Sequence, residues 1–131
     1  MTWLVTGIGA LIVVAGILFL VMMTRHRRLK GHALRCIHTA WQHALGQQNP
    51  VLRVVEADKV LDEALRLLGY TGSLGDKLKA AGARFSNIND LWSAHKLRNT
   101  LVHELNSSPN AGEVERALRI YERALKDLGM K

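Results

Sequence analysis

No charged side chain occurs between Met1 and Thr24, and five basic residues then follow almost at once: Arg25, Arg27, Arg28, Lys30 and Arg35. The stretch Trp3 to Met23 is 21 residues of mostly Leu, Ile, Val, Ala and Gly. At about 1.5 Å per residue, a helix of that length reaches roughly 30 Å, the thickness of a bilayer's hydrocarbon core. In hydrocarbon the backbone must satisfy its own polar groups, which a helix does. A cleaved secretory signal fits less well, because no basic region precedes the apolar run and no small-x-small site follows it. Residues 1–24 are therefore predicted to form a single transmembrane helix, with Trp3 as an interfacial anchor.

The basic flank sets the expected orientation. Residues 25–35 form a basic juxtamembrane segment, and no acidic residue occurs before Glu56. Positive-inside reasoning places the N-terminus outside the cell membrane and the remaining chain in the cytoplasm. Membrane lipids are then a partner, since each basic residue near an anionic leaflet gains about 1 kcal/mol. The formal net charge of +7 otherwise says little about nucleic acid. Residues 36–131 carry 13 Lys/Arg against 11 Asp/Glu, so most of the excess belongs to the juxtamembrane segment. With Cys36 as the single cysteine, no internal disulfide can form, which suits a reducing compartment.

Residues 36–131 read as one helical domain. The transmembrane helix is expected to run on unbroken into a second stretch, where Leu34, Ile37, Trp41, Ala44 and Leu45 recur at helical spacing. Gly46 to Pro50 closes that stretch, with Asn49 as N-cap and Pro50 in the first turn of the next helix. That helix, about 51–68, has Val51, Val54, Val55, Leu61, Ala64, Leu65 and Leu68 on one face and ends at Gly69. A short helical piece is predicted around Leu74 to Ala81, and Asn87 caps a third long helix over about 88–105. Ser107-Ser108-Pro109 precedes a fourth, striped with Val114, Ala117, Leu118, Tyr121, Ala124, Leu125 and Leu128. No segment alternates with period two. The expected fold is all-α: one transmembrane helix and an antiparallel four-helix bundle.

Arg98 falls within the apolar face of the third long helix, among Leu91, Trp92, Ala94, Leu97, Leu101, Val102 and Leu105. A buried guanidinium needs a carboxylate, a row of carbonyls or a ligand. On the preceding long helix Asp58 lies inside the apolar stripe while Glu56 points away, so Asp58 is the predicted partner, supported by Asp62 one turn on. A structural ion pair and a functional arginine are both consistent with this pattern. His95, Asn99 and His103 line up at i, i+4 and i+8, so His95 joins the residues that could line a site. His26, His32, His38 and His43 have no zinc-like spacing with Cys36 or with acidic residues, and Gly69, Gly72 and Gly75 lack the Lys and Ser/Thr of a phosphate loop. Neither a metal nor a cofactor is expected.

The run Arg98-Asn99-Thr100-Leu101-Val102-His103 resembles the R-(polar)-x-x-x-H motif of the HEPN superfamily, helical bundles that are often metal-independent ribonucleases. Arg27 to His32 has the same spacing, but it lies in the juxtamembrane segment. The second match, by contrast, sits late in a bundle helix, ahead of a loop and a closing helix. The resemblance spans roughly residues 51–128. It implies that Arg98 holds the scissile phosphate of an RNA, that His103 is the general acid/base, and that Asn99 orients the imidazole. Leu105 stands where one branch of the superfamily has a tyrosine, which argues against that branch and its nucleotidyltransferase partner. Arg98 and His103 are about 140° apart around an ideal helix, so the resemblance also implies a homodimer whose two sites meet at the interface. A membrane anchor favours such pairing by raising effective concentration. Two functions stay open at this level: a membrane-tethered endoribonuclease of defence or toxin type, and a catalytically inactive module for interaction or dimerisation at the membrane.

Overall fold

The structure is a computed structural model of residues 1–131 that describes the backbone of all but 105–107, and the side chains of all but these and 24–26. Leu105 and the first residue of the Ser107-Ser108-Pro109 break lie outside the described residues. The chain is all-α, and no strand occurs among the described residues.

Helix α1 (Thr2–His26) contains the apolar run. Thr2–Met23 is long and apolar enough to cross a membrane, with a mean hydropathy of 2.8, and none of it is buried against the rest of the chain. A row of Leu, Ile, Val and Phe left so exposed has no folded partner here to shield it from water.

The helix does not continue into the domain as its sequence suggested. Residues 27–30 leave helical geometry, and α2 (Gly31–Leu45) starts afresh from Gly31 at φ +55, a backbone region that glycine enters without Cβ strain. Leu29 accounts for the break. Its side chain is buried in the domain core, and its N–H donates to the carbonyl of Leu128 at 2.8 Å. A continuous helix would have used that N–H internally and carried Leu29 along the α1 axis. The Arg84 guanidinium also donates to the carbonyl of Arg27. Residues 27–29 are thus packed onto the end of the bundle rather than hanging as a tether.

Four long helices make the bundle: α2, α3 (Pro50–Leu67), α5 (Ile88–His103) and α6 (Ala111–Asp127). Asn49 caps α3 by accepting from Val51 N–H at 2.8 Å, with Pro50 in the first turn. The short α4 (Leu74–Ala81) carries a reciprocal capping box between Ser73 and Asp76, and a 3₁₀ turn (Gly82–Arg84) leads from it toward α5. Asn87 caps α5, and α6 starts at Ala111 behind a second capping box, Asn110 with Glu113.

Contacts at the ends give the directions. The start of α2 meets the end of α6 through Leu29 and Leu128, and Ser86, just before α5, donates from N–H and hydroxyl to Asp127 at 2.8 and 2.9 Å. Both α2 and α5 therefore run antiparallel to α6, and the short Gly46–Asn49 link turns α3 back along α2. The pole nearest α1 gathers residues 27–30, the 3₁₀ turn and the end of α6. The opposite pole holds the end of α5 with His103.

The core draws one stripe from each helix: Ile37, Trp41 and Ala44; Val54, Ala57, Leu61, Ala64 and Leu65; Leu91, Ala94 and Leu101; Val114, Ala117, Leu118, Tyr121, Ala124 and Leu125. The stripe of α5 holds only three buried residues, as does that of α2. Leu97 and Trp92 are only partly buried and Val102 is 45% exposed, so the wide apolar face expected of this helix is in part open.

Candidate functional site

Asp58 is the polar centre of the bundle. It follows Val54 by four residues and precedes Leu61 by three, which sets it on the inner face of α3, where it is 4% exposed. A carboxylate in such a place would be very costly unless paired, and three side chains from two other helices reach it. The Tyr121 hydroxyl of α6 donates to Oδ1 at 2.7 Å, and Nδ1 of His95 on α5 lies 2.9 Å from the same oxygen. Nε of Arg98, one turn further along α5, is 3.4 Å from Oδ2. The pairing of Asp58 with Arg98 expected from the apolar faces is therefore present. It is an ion pair without a hydrogen bond: Arg98 Nε is shielded from solvent and has no hydrogen-bond partner.

The geometry assigns the His95 hydrogen. An ionised carboxylate only accepts, so the nitrogen facing it, Nδ1, must carry the proton, and Nε2 is the acceptor of the neutral ring. The imidazole also packs edge-on against Trp92, with ring centroids 6.1 Å apart. His95 is thereby held from two sides.

Other predicted site residues fall into place differently. Asn99 was expected to orient His103, but its Oδ1 accepts from Nη1 of Arg98 at 3.1 Å, so it steadies the arginine instead. Asp62 was expected to support Arg98. It takes Lys77 of α4 at 2.7 Å, because one turn further along α3 the facing element is α4 and not α5. Lys77 is itself buried, with its side chain 6% exposed, and Asp62 is its counter-charge. His103 is exposed, at the last residue of α5.

Asp58, Lys59, Asp62, His95 and Arg98 line one cleft of about 360 Å³ between α3 and α5, closed at one side by the first turn of α4. Arg98 keeps 26% of its side chain exposed there, against 14% for His95. The cleft brings together Arg98, His95, Asp58 and Asp62, and His103 is not among its lining residues. Among the described residues, no group of three or more His, Cys, Asp or Glu side chains is placed to hold a metal ion. His32 Nε2 and Cys36 Sγ are 3.4 Å apart on the exposed face of α2, a pair only.

Tyr121 and Lys77 were not among the residues singled out from sequence. Tyr121 sits in a regular apolar stripe, where a tyrosine looks like another core residue. The available signal was its hydroxyl, which needs a partner once buried. Burial first, and then the adjacent Asp58 charge, push the Tyr121 phenol above its ordinary value of 10.0. Unfolding exposes a phenol that ionises near 10, while the folded one keeps its proton to higher pH. The unfolded state thus binds fewer protons above pH 10, so stability falls as pH rises. Thermal melts between pH 9 and 11 should show this decline. In Tyr121→Phe it should flatten, and at neutral pH that variant should lose about 1.5–3 kcal/mol with its hydrogen bond to a charged group.

Comparison of the chain with known protein families, curated proteins and solved structures gives no match.

Proposed function

We propose that this protein is a membrane-anchored, HEPN-like endoribonuclease that works without a metal. The α1 helix spans the inner membrane with its N-terminus outside, and the bundle projects into the cytoplasm. The observation that carries the reading is Arg98: a cation held by Asp58 and Asn99, yet one quarter exposed on an open cleft. A pre-positioned guanidinium stabilises the charge that builds on a phosphodiester as it is attacked. His103, exposed at the end of the same helix, supplies the acid/base group.

Five residues of helix separate the two groups by about 7.5 Å along the axis and about 140° around it. They do not share one face of the helix. In this reading Arg98 of one subunit and His103 of the partner subunit complete each site, and two copies tethered in one membrane meet readily.

The test uses the full chain in detergent micelles, mixed single-stranded RNAs and EDTA. Cleavage is expected to persist in EDTA and to fall about 10²–10⁴-fold in His103→Ala, the usual range for a general acid or base. Arg98→Ala should be similarly impaired. Mixing the two inactive variants should restore part of the activity, since a heterodimer keeps one intact site. A folded, dimeric protein that leaves every RNA uncut would overturn the reading.

One observation favours a second reading, a catalytically inactive module for interaction or dimerisation at the membrane. The hydrogen bonds and ion pair at Asp58 tie α3, α5 and α6 together, which accounts for Arg98 by stability alone. Absence of cleavage by the folded dimer supports this alternative.

A further inference from the structure

Cleaving RNA by internal attack needs two proton transfers. One group takes the proton of the 2′-hydroxyl as the bond from 2′-oxygen to phosphorus forms. Another gives a proton to the 5′-oxygen as its bond to phosphorus breaks. The R-N-x-x-x-H run offers one histidine for two tasks. We propose that His95 is the second acid/base group and acts as the base, a role that rests on the endoribonuclease reading.

Three features of the cleft carry the assignment. His95 is the histidine that lines the same cleft as Arg98, and the two are one turn apart on α5. Its Nδ1 is committed to Asp58 Oδ1 at 2.9 Å, so the neutral ring holds its lone pair on Nε2, the nitrogen a base uses. Tyr121 anchors the buried Asp58 from the other side at 2.7 Å, so the carboxylate behind the ring is fixed in place. This is the arrangement of an acceptor nitrogen oriented by a carboxylate behind it, the logic by which histidine is made a competent base. A cleft of about 360 Å³ is within the range of small-ligand sites.

The step balances with no further reactant. His95 Nε2 receives the 2′-hydroxyl proton, the 2′-oxygen attacks phosphorus, and Arg98 neutralises the added charge. His103 of the partner subunit protonates the departing 5′-oxygen. The products are a 2′,3′-cyclic phosphate and a 5′-hydroxyl. His103 of the same copy is eight residues from His95, about 12 Å along the helix, which is too far to serve the two oxygens of one phosphodiester. The division of labour therefore follows from the same geometry that calls for a second copy.

His95→Gln is the variant of choice, because a glutamine amide can still donate to Asp58 and so maintain the packing. With the full chain in micelles, its melting temperature and its affinity for a 2′-O-methyl RNA should match the wild type, while cleavage falls about 10²–10⁴-fold. A uridine 3′-phosphate ester of nitrophenol separates base from acid, since nitrophenolate leaves without protonation. His103→Ala should regain most of the wild-type rate on that ester, and His95→Gln should stay impaired. Wild-type-like cleavage by His95→Gln would overturn the assignment and leave the endoribonuclease reading standing. Rescue of His95→Gln by the ester would also overturn it, by making His95 the acid. A wild-type chain that cuts neither RNA nor ester would overturn both.

Discussion

Asp58→Ala is expected to destabilise the domain by about 3–5 kcal/mol, the cost of breaking a buried charge pair from one side. The carboxylate is the common partner of Tyr121, His95 and Arg98, contributed by two other helices. Its removal strands a fully buried phenol that donates to Asp58, and a guanidinium whose Nε is already sealed from water. Both penalties fall on the native state, because water satisfies the same groups on unfolding. For a domain of about a hundred residues, each kcal/mol moves the melting temperature by roughly 4–8 °C, so the variant should lose most of its thermal range. Tryptophan fluorescence of the full chain in micelles reads this through Trp41, which is buried in the bundle. Asp58→Asn keeps a carbonyl oxygen for Tyr121 and should suffer less. A melting point for Asp58→Ala within about 2 °C of wild type would mean that the four side chains do not form the network described.

Leu29→Ala is expected to cost about 2–5 kcal/mol, the range for truncating a large aliphatic side chain in a packed core. Leu29 is 3% exposed although it stands only three residues beyond the end of α1. The junction is tight on the other side too. Gly129 has φ +122, and a Cβ there would sit 3.0 Å from the backbone nitrogen of Leu29 and 3.1 Å from its oxygen. Gly129→Ala should therefore add destabilisation through both the left-handed backbone and the crowding, with neither neighbour being a flexible side-chain end. Limited proteolysis offers a second readout. If Leu29 seats the chain against the bundle, cleavage at the Arg27–Arg28 bond should accelerate in both variants. Unchanged melting and unchanged cleavage would mean that the segment is a passive tether. A soluble fragment meant to preserve the fold should accordingly begin before Leu29.

The helices themselves were legible because their signals are local. Asn49 with Pro50, Asn87, and the Leu74–Ala81 piece were read at the positions where the structure has them. Burial of Asp58 was legible for the same reason, since a residue four after one core position and three before another lies on the inner face whatever the helix packs against. Partners were a different matter. Asp62 differs from Asp58 by one turn, and that turn decides whether α4 or α5 stands opposite. Asn99 shares a helix face with His103, yet it turns to Arg98 beside it. Choices among nearby side-chain partners depend on a few ångströms of helix placement, which no spacing rule contains.

What the sequence determined by itself was periodic or compositional: an uncharged run of bilayer length, an all-α domain, capped helix starts, and a carboxylate and a guanidinium on inward-facing helix surfaces. These follow from residue order because 3.6-residue periodicity and capping act within one turn. Only the tertiary structure decided that Tyr121 and His95 share Asp58 with Arg98, that Lys77 takes Asp62, and that His95 rather than His103 stands in the cleft beside Arg98. It also decided that the chain breaks after α1, because the local sequence there allows a helix and the gain that opposes it, burial of Leu29 against the far end of the chain, is non-local.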